Sequence, residues 1–269
     1  MLRPPRWLTS FTLALLTATT AGAAERDASA RGDSASDSAS YSWGLGIAGF
    51  SQQQPYRGIE RFNVPIPLIY FENRRVRLLG PFLDLKLADL EWGGDQELSL
   101  GVRVQWFGFN GYKPTDAPML NGMEERKAGI FAGPSIKWSN PLVNLSVEWM
   151  FDASSESKGH RTRVGLDRSF HLGERFRLTP GAAAIWLDST YADYYYGVRG
   201  AEARADRPAY VANSTVNTEF TLRLDYTIDG RQSVFGAMQY TALGRNIKNS
   251  PLTDRAGETM VLMGYLYRF

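Results

Sequence analysis

Residues 142–151 read Leu142-Val143-Asn144-Leu145-Ser146-Val147-Glu148-Trp149-Met150-Phe151. Val143, Leu145, Val147, Trp149 and Phe151 share one parity, and Asn144, Ser146 and Glu148 the other. A β-strand sends successive side chains to opposite faces, so this stretch reads as a strand with one apolar and one polar face. The scheme recurs at 97–106, where Leu98, Leu100, Val102, Val104 and Trp106 oppose Glu97, Ser99, Gly101, Arg103 and Gln105. At 215–228, Val216, Phe220, Leu222, Leu224, Tyr226 and Ile228 oppose Asn217, Glu219, Thr221, Arg223, Asp225 and Thr227.

A soluble sandwich would turn such an apolar face inward. Strand length favours the opposite arrangement. These runs are ~10–14 residues long, where globular strands average about 5–6, and about ten tilted residues cross a bilayer. Aromatic residues gather near the strand ends, among them Trp43, Tyr70, Phe71, Trp106, Trp138, Trp186, Tyr226, Tyr265, Tyr267 and Phe269, which suits interfacial girdles. Lipid cannot hydrogen-bond a free backbone group, so a spanning sheet must close on itself. The expected fold is all-β, an antiparallel up-and-down transmembrane β-barrel over residues 41–269, with its apolar face toward the lipid of a Gram-negative outer membrane.

The start of the chain fits that destination. Residues 1–24 carry Arg3 and Arg6, then a short apolar run from Trp7 to Thr20, then Ala21-Gly22-Ala23-Ala24. This is the form of a cleaved signal peptide, cut after Ala23 or Ala24, and the apolar run falls short of the roughly 20 residues a spanning helix needs. Residues 25–40 (ERDASARGDSASDSAS) have no apolar period and read as a flexible periplasmic tail.

Eleven strands are legible, at 41–50, 62–71, 75–89, 97–109, 127–138, 142–153, 160–171, 176–189, 214–228, 232–243 and 258–269. Single-chain bacterial barrels have an even number. Gly80-Pro81 interrupts the third segment, because Pro cannot donate to a ladder. Splitting there gives about 12 strands, the expectation adopted; ten follows if one early segment lies outside the wall. Short turns at 139–141, 173–175 and 229–231 are expected at the periplasmic end, and longer loops at 110–126, 154–159, 190–213 and 244–257 outside. Asp84, Lys86, Glu97, Arg103, Lys127, Lys137, Glu148, Arg161, Arg163, Asp167, Glu219, Arg223 and Asp225 share the inward parity. They imply a polar interior of mixed sign, either cross-linked or water-filled. Arg168 has outward parity, so it is expected near an interface or beside a bulge.

At the chain end Val261, Met263, Tyr265, Tyr267 and Phe269 alternate on one face. Gly264, Tyr267 and the terminal Phe269 resemble the C-terminal signal read by the outer-membrane barrel-assembly machinery, although Leu262 stands where a polar residue is usual.

Composition narrows the chemistry. The chain has 269 residues, 30 Lys+Arg against 28 Asp+Glu, two His and no Cys. Two of the basic residues lie in the signal segment, which has no acid, leaving 28 against 28. A neutral chain without a basic stripe is a poor nucleic-acid binder. Thiolate metal sites, disulfides and cysteine nucleophiles are ruled out, and no phosphate-binding glycine loop is present. Possible catalytic groups are Ser169 with His171, His160 near Ser155 and Ser157, and the acids Glu124-Glu125. Asp152, Glu156 and His160 are spaced four apart, but in an expected loop, where helical spacing has no meaning. Ordinary solvated or turn roles account for all of them, so no catalytic residue, metal or cofactor is expected.

Several segments taken together resemble the MipA/OmpV family of outer-membrane proteins, the MltA-interacting proteins. They are Tyr56-Arg57-Gly58, Val64-Pro65-Ile66-Pro67-Leu68-Ile69-Tyr70-Phe71-Glu72, Tyr194-Tyr195-Tyr196-Gly197-Val198 with Pro208-Ala209-Tyr210, Ser250-Pro251-Leu252-Thr253-Asp254-Arg255, and Tyr267-Arg268-Phe269. The resemblance implies an outer-membrane barrel acting as a non-catalytic scaffold for peptidoglycan (murein) enzymes, linking a lytic transglycosylase to a bifunctional murein synthase. It transfers no partner-contact residue. The alternative is a channel or porin for small solutes, with the Tyr-rich loop at 190–213 as a constriction.

Overall fold

The computed structural model describes residues 41–107 and 111–269. The signal peptide and tail expected at 1–40 lie outside the described residues. The wall is built from β1 (Ser42–Gln53), β2 (Phe62–Glu72), β3 (Val76–Leu79), β4 (Phe82–Trp92), β5 (Gln96–Phe107), β6 (Gly129–Ser139), β7 (Asn144–Asp152), β8 (His160–Asp167), β9 (Phe170–Leu172), β10 (Phe176–Leu187), β11 (Thr215–Thr227), β12 (Gln232–Ala242) and β13 (Gly257–Arg268). Every pairing is between antiparallel neighbours, and β13 pairs with both β12 and β1, which closes the cylinder.

The segments β8 and β9 are one wall strand. Both pair with β10 in a continuous register, Asp167 opposite Gly181 and Phe170 opposite Leu178. The interruption falls where Arg168 faces Pro180. The Arg168 N–H donates to the Pro180 carbonyl at 3.2 Å, but Pro180 has no N–H to return. The closed barrel therefore has 12 strands. Arg168 needs no bulge; it lies at the periplasmic end with its guanidinium 5.0 Å from the Phe170 ring.

The expected split of the third segment is present. Gly80 takes φ +55°, a left-handed conformation that suits glycine, and it turns β3 back into β4. β3 is only four residues long, so it covers β2 at Tyr70, Phe71 and Glu72 alone. One further bond, from the Gly80 N–H to the Ile69 carbonyl, shows that odd-numbered residues of β2 direct their backbone groups toward that flank. Pro65 and Pro67 share this parity. They place rings where N–H groups would meet no strand among the described residues, the position in which a sheet tolerates proline.

The alternation sorts residues as expected along β7 and β11. Trp149 and Phe220 are 51% and 53% exposed on the lipid face, whereas Glu148 and Glu219 are 4% and 7% exposed inside. A bulge at Leu87 separates the Lys86–Gly101 and Ala88–Leu100 pairs, so inward parity in β4 passes from Asp84 and Lys86 to Asp89 and Glu91.

The interior departs from the uniform polarity expected. It has two sectors. Strands β1, β2, β12 and β13, with Phe82 of β4, fill one side with Phe50, Ile66, Leu68, Phe235, Met260 and Leu262. Their inward and outward residues are both apolar, which is why 64–71 and 259–266 read as continuous apolar runs rather than alternation. The other side holds the charges. Arg103 bridges Asp84 and Glu148, Arg163 meets Glu219 at 2.8 Å and Arg223 meets Asp225 at 2.6 Å. These ion pairs realise the cross-linked reading on that side.

Candidate functional site: a lumen capped at one end

The start of β1, the end of β13 and the connections 73–75, 93–95, 140–143, 173–175 and 228–231 lie at one end of the barrel, the periplasmic end of an outer-membrane protein. Apart from the Gly80-Pro81 turn between β3 and β4, the connections on the other side are long. They fold into a lid whose apolar core, formed by Tyr56, Tyr112, Leu120, Tyr195, Ile247 and Leu252 among others, continues into the wall through Phe131, Met150, Ile185 and Leu187.

Three of the segments that carry the family resemblance, 56–58, 194–198 with 208–210, and 250–255, lie in this lid, whereas 64–72 lies in β2 and 267–269 at the periplasmic seam. Helix α1 (Ser189–Tyr196) is capped by Asp188, whose carboxylate accepts from the Tyr191 N–H. Asp188 also holds the His160 ring at 2.8 Å, tying the helix start to the rim of β8. Tyr195 is fully buried. The Tyr56 hydroxyl donates to the Tyr195 carbonyl at 3.2 Å, and the Ser250 hydroxyl to the Tyr196 carbonyl at 2.6 Å. The Arg57 N–H donates to the Leu252 carbonyl, and the Asp254 N–H to the Pro55 carbonyl. Arg255 donates to the Tyr56 carbonyl at 3.1 Å. Tyr194 sits at the edge, its hydroxyl accepting from the Lys127 N–H. Gly197 ends the helix where a Cβ would lie 2.4 Å from the Asp193 carbonyl oxygen. Pro251 lies in the turn between Ser250 and Leu252. Three loops far apart in the chain are therefore joined by their most distinctive residues, and the Tyr-rich loop packs the lid.

Charged residues pin the lid's far side. Arg126 is buried, donates to both Glu202 oxygens at 2.9 Å, and reaches the Tyr194 carbonyl at 2.8 Å. Burial alone would raise the Glu202 carboxyl. The Glu124 and Arg199 N–H groups and the Arg126 guanidinium outweigh it and hold that carboxyl below the ordinary glutamate range. Arg207, also buried, spans the carbonyls of Met119, Asn121 and Glu202. The spacing of these loop charges gave no sequence signal, because the partners stand far apart in the chain.

The other candidate groups are dispersed. Asp152 spends its carboxylate on the Ser154 and Ser157 hydroxyls and on three N–H groups of its own loop. Glu156 pairs with Lys127 at 3.5 Å and His160 with Asp188, so Asp152, Glu156 and His160 point to separate partners. No group of three metal-ligating side chains occurs among the described residues. Ser169 hydrogen-bonds Thr179 at 2.9 Å rather than His171. Glu124 pairs with Arg199 and does not converge with Glu125.

At the chain end, Gly264 faces inward, where a Cβ would lie 2.6 Å from the Phe235 ring and 2.9 Å from the Ala48 Cβ. Phe269 stacks on Trp43 with ring centroids 4.0 Å apart, and Tyr267 contacts Phe269 edge-on. Trp43, Tyr267 and Phe269 thus make a compact aromatic group at the periplasmic seam.

Below the lid the lumen continues as three cavities. The uppermost shares Ser146, Glu148 and Asp167 with the next, which shares Glu97 and Lys137 with a wide periplasmic mouth.

The family model described as MltA-interacting protein MipA matches residues 45–269. Among curated relatives, Omp26La of Vibrio anguillarum and OmpV of Vibrio cholerae are each 31% identical over 158 residues, 59% of this chain. The match spans 61% of the length of either relative. The MltA-interacting protein of Escherichia coli K12 is 25% identical over 96% of this chain and 97% of its own. Among solved structures, the NanC porin overlays with a TM-score of 0.44 at 12% identity, covering 83% of this chain and 98% of that one. An outer membrane channel of Pseudomonas putida F1 overlays at 0.45, also at 12% identity, over 88% of this chain and 100% of that one.

Proposed function

Since the chain belongs to the MltA-interacting protein family MipA, we propose that this outer-membrane barrel is a non-catalytic scaffold for murein enzymes. It presents its periplasmic rim to a lytic transglycosylase and a murein synthase. The observation that carries the reading is the asymmetry of the barrel. The lid is locked by a buried core and a buried Arg126–Glu202 pair, while the short-turn end stays open toward the peptidoglycan. The relative named MltA-interacting protein supports it. Cross-linking in intact envelopes tests it: a lytic transglycosylase is recovered with the protein, and recovery of no murein enzyme rejects the scaffold.

A channel is the second reading, favoured by the cavities that run from mouth to lid. Planar-bilayer conductance separates the two, since no current above background removes the channel. For the chain end we propose that Gly264, Tyr267 and Phe269 form the signal for the barrel-assembly machinery, beside the packing roles they have in the folded wall.

A further inference from the structure

We propose that the lumen is a blind well opening to the periplasm, and that its upper end binds a small, uncharged, polyhydroxylated molecule: a short polyol or the leading edge of a sugar ring. This goes beyond the scaffold reading and does not depend on it.

The upper cavity has a volume of about 130 Å³ and lies directly beneath the lid. It adjoins a second cavity of about 360 Å³, with which it shares Ser146, Glu148 and Asp167 as lining. In the proposed well the two spaces are continuous, so that a sugar ring enters the upper end by one edge while the rest stays in the wider space below. Tyr191 and Tyr196 of the lid helix line the upper cavity, and the Tyr196 hydroxyl bonds Glu258 at 3.3 Å.

Much of the charge around the cavity is paired within the wall, although Arg161, Asp167 and Glu258 line it as well. Arg163 is matched by Glu219, Arg103 by Asp84 and Glu148, and Arg223 by Asp225. A charged guest would disturb pairs already made, at the cost of a buried charge without a partner. Neutral hydrogen-bonding capacity is left over instead. Among the described residues the Gln52 Oε1 atom meets no donor and the Arg223 Nη1 atom no acceptor, although the residues are only 7% and 8% exposed and both line the cavity, the Arg223 guanidinium lying 5.0 Å from the Phe235 ring. Unmet buried groups of this kind are uncommon in folded proteins. A guest must offer a donor to one and an acceptor to the other without net charge. Hydroxyl groups do both, and the C–H face of a polyol suits the tyrosine rings.

The backbone keeps this space open. One row of paired residues crosses the wall from Gln52 through Met260, Gln239 and Thr221 to Gly181 and Asp167. Gly181 is the gap in that row. A Cβ there would lie 2.6 Å from the Thr221 hydroxyl and 3.3 Å from the Asp167 Cβ, so a larger residue displaces Thr221 and Asp167, both of which line the cavity.

Saturation-transfer NMR on the full barrel in detergent, with D-glucose as the probe, tests the site. Saturation reaches the glucose C–H protons. Gln52→Leu and Gly181→Val each reduce it at least fivefold, while the heat-modifiable gel mobility of a folded barrel is retained. If Gly181→Val does not fold, Gln52→Leu decides alone. Absence of transfer, or transfer untouched by Gln52→Leu, overturns the proposal. Labelled glucose does not enter vesicles carrying the barrel; entry at the rate of an open channel overturns the blind end.

Discussion

Arg126 and Glu202, 76 positions apart in the chain, form a two-bond ion pair buried between two lid loops. Their side chains are only 2% and 4% exposed. Neither belongs to a strand, so this pair fixes the lid without touching the wall.

Breaking one side of the pair leaves an uncompensated buried charge, a loss of about 3–5 kcal/mol in comparable cases. Glu202→Gln is expected to loosen the lid and spare the barrel. External protease on intact cells then cuts within 111–128 or 198–210, while heat-modifiable mobility stays normal. Resistance equal to that of the parent protein would show that the pair does not hold the lid.

The same carboxylate gives the lid a pH dependence. Its value in the folded lid lies below that of an unfolded glutamate. Its contribution is therefore complete above the unfolded value, about 4.3, and disappears as pH falls through the depressed folded value. Lid amides are expected to exchange faster at pH 3 than at pH 7, after correction for intrinsic rates, with wall amides unchanged. In Glu202→Gln this component of the pH dependence is absent.

Tyr195 anchors the lid core. Replacing a fully buried large aromatic residue with Ala typically costs about 3–5 kcal/mol. Tyr195→Ala should thus produce a second, earlier unfolding transition belonging to the lid alone, visible by tyrosine fluorescence ahead of barrel unfolding. A single coincident transition would mean that lid and wall unfold as one unit.

Pro180 predicts a smaller effect. Pro180→Ala supplies the N–H missing opposite the Arg168 carbonyl, a net gain of about 0.5–1.5 kcal/mol, partly offset by the freer unfolded chain. The new amide is expected to be protected from exchange like its ladder neighbours, and rapid exchange there would show that the strand stays broken.

Phe269→Ala separates signal from packing. If the chain end is an assembly signal, the variant accumulates less in the outer membrane although purified protein refolds to a normal barrel. Loss of refolding would assign Phe269 to its stack on Trp43.

The wall was largely legible in the sequence because a two-residue period survives wherever one face is lipid and the other polar, as along 142–151 and 215–228. The split at Gly80-Pro81 was legible for a related reason, since proline interrupts a ladder. The apolar lumen sector was not legible. Phe50, Ile66 and Leu262 face inward beside apolar outward neighbours, and a strand apolar on both faces has no alternation to read. The lid motifs were visible as words, in Tyr194-Tyr195-Tyr196-Gly197 and Ser250-Pro251-Leu252, but their joining was not. Contacts such as Tyr56 with Tyr195 span 139 positions, and no local period encodes them. Gln52 and Arg223 gave no signal either, since each is one inward polar residue among many until closure brings their strands around one cavity.

If the lid seals the lumen and the rim holds murein enzymes, as proposed, the design has a cellular corollary. Bacteria could raise its copy number many-fold, to give wall-building enzymes more footholds, without making the envelope leakier to bile salts or bulky hydrophilic drugs.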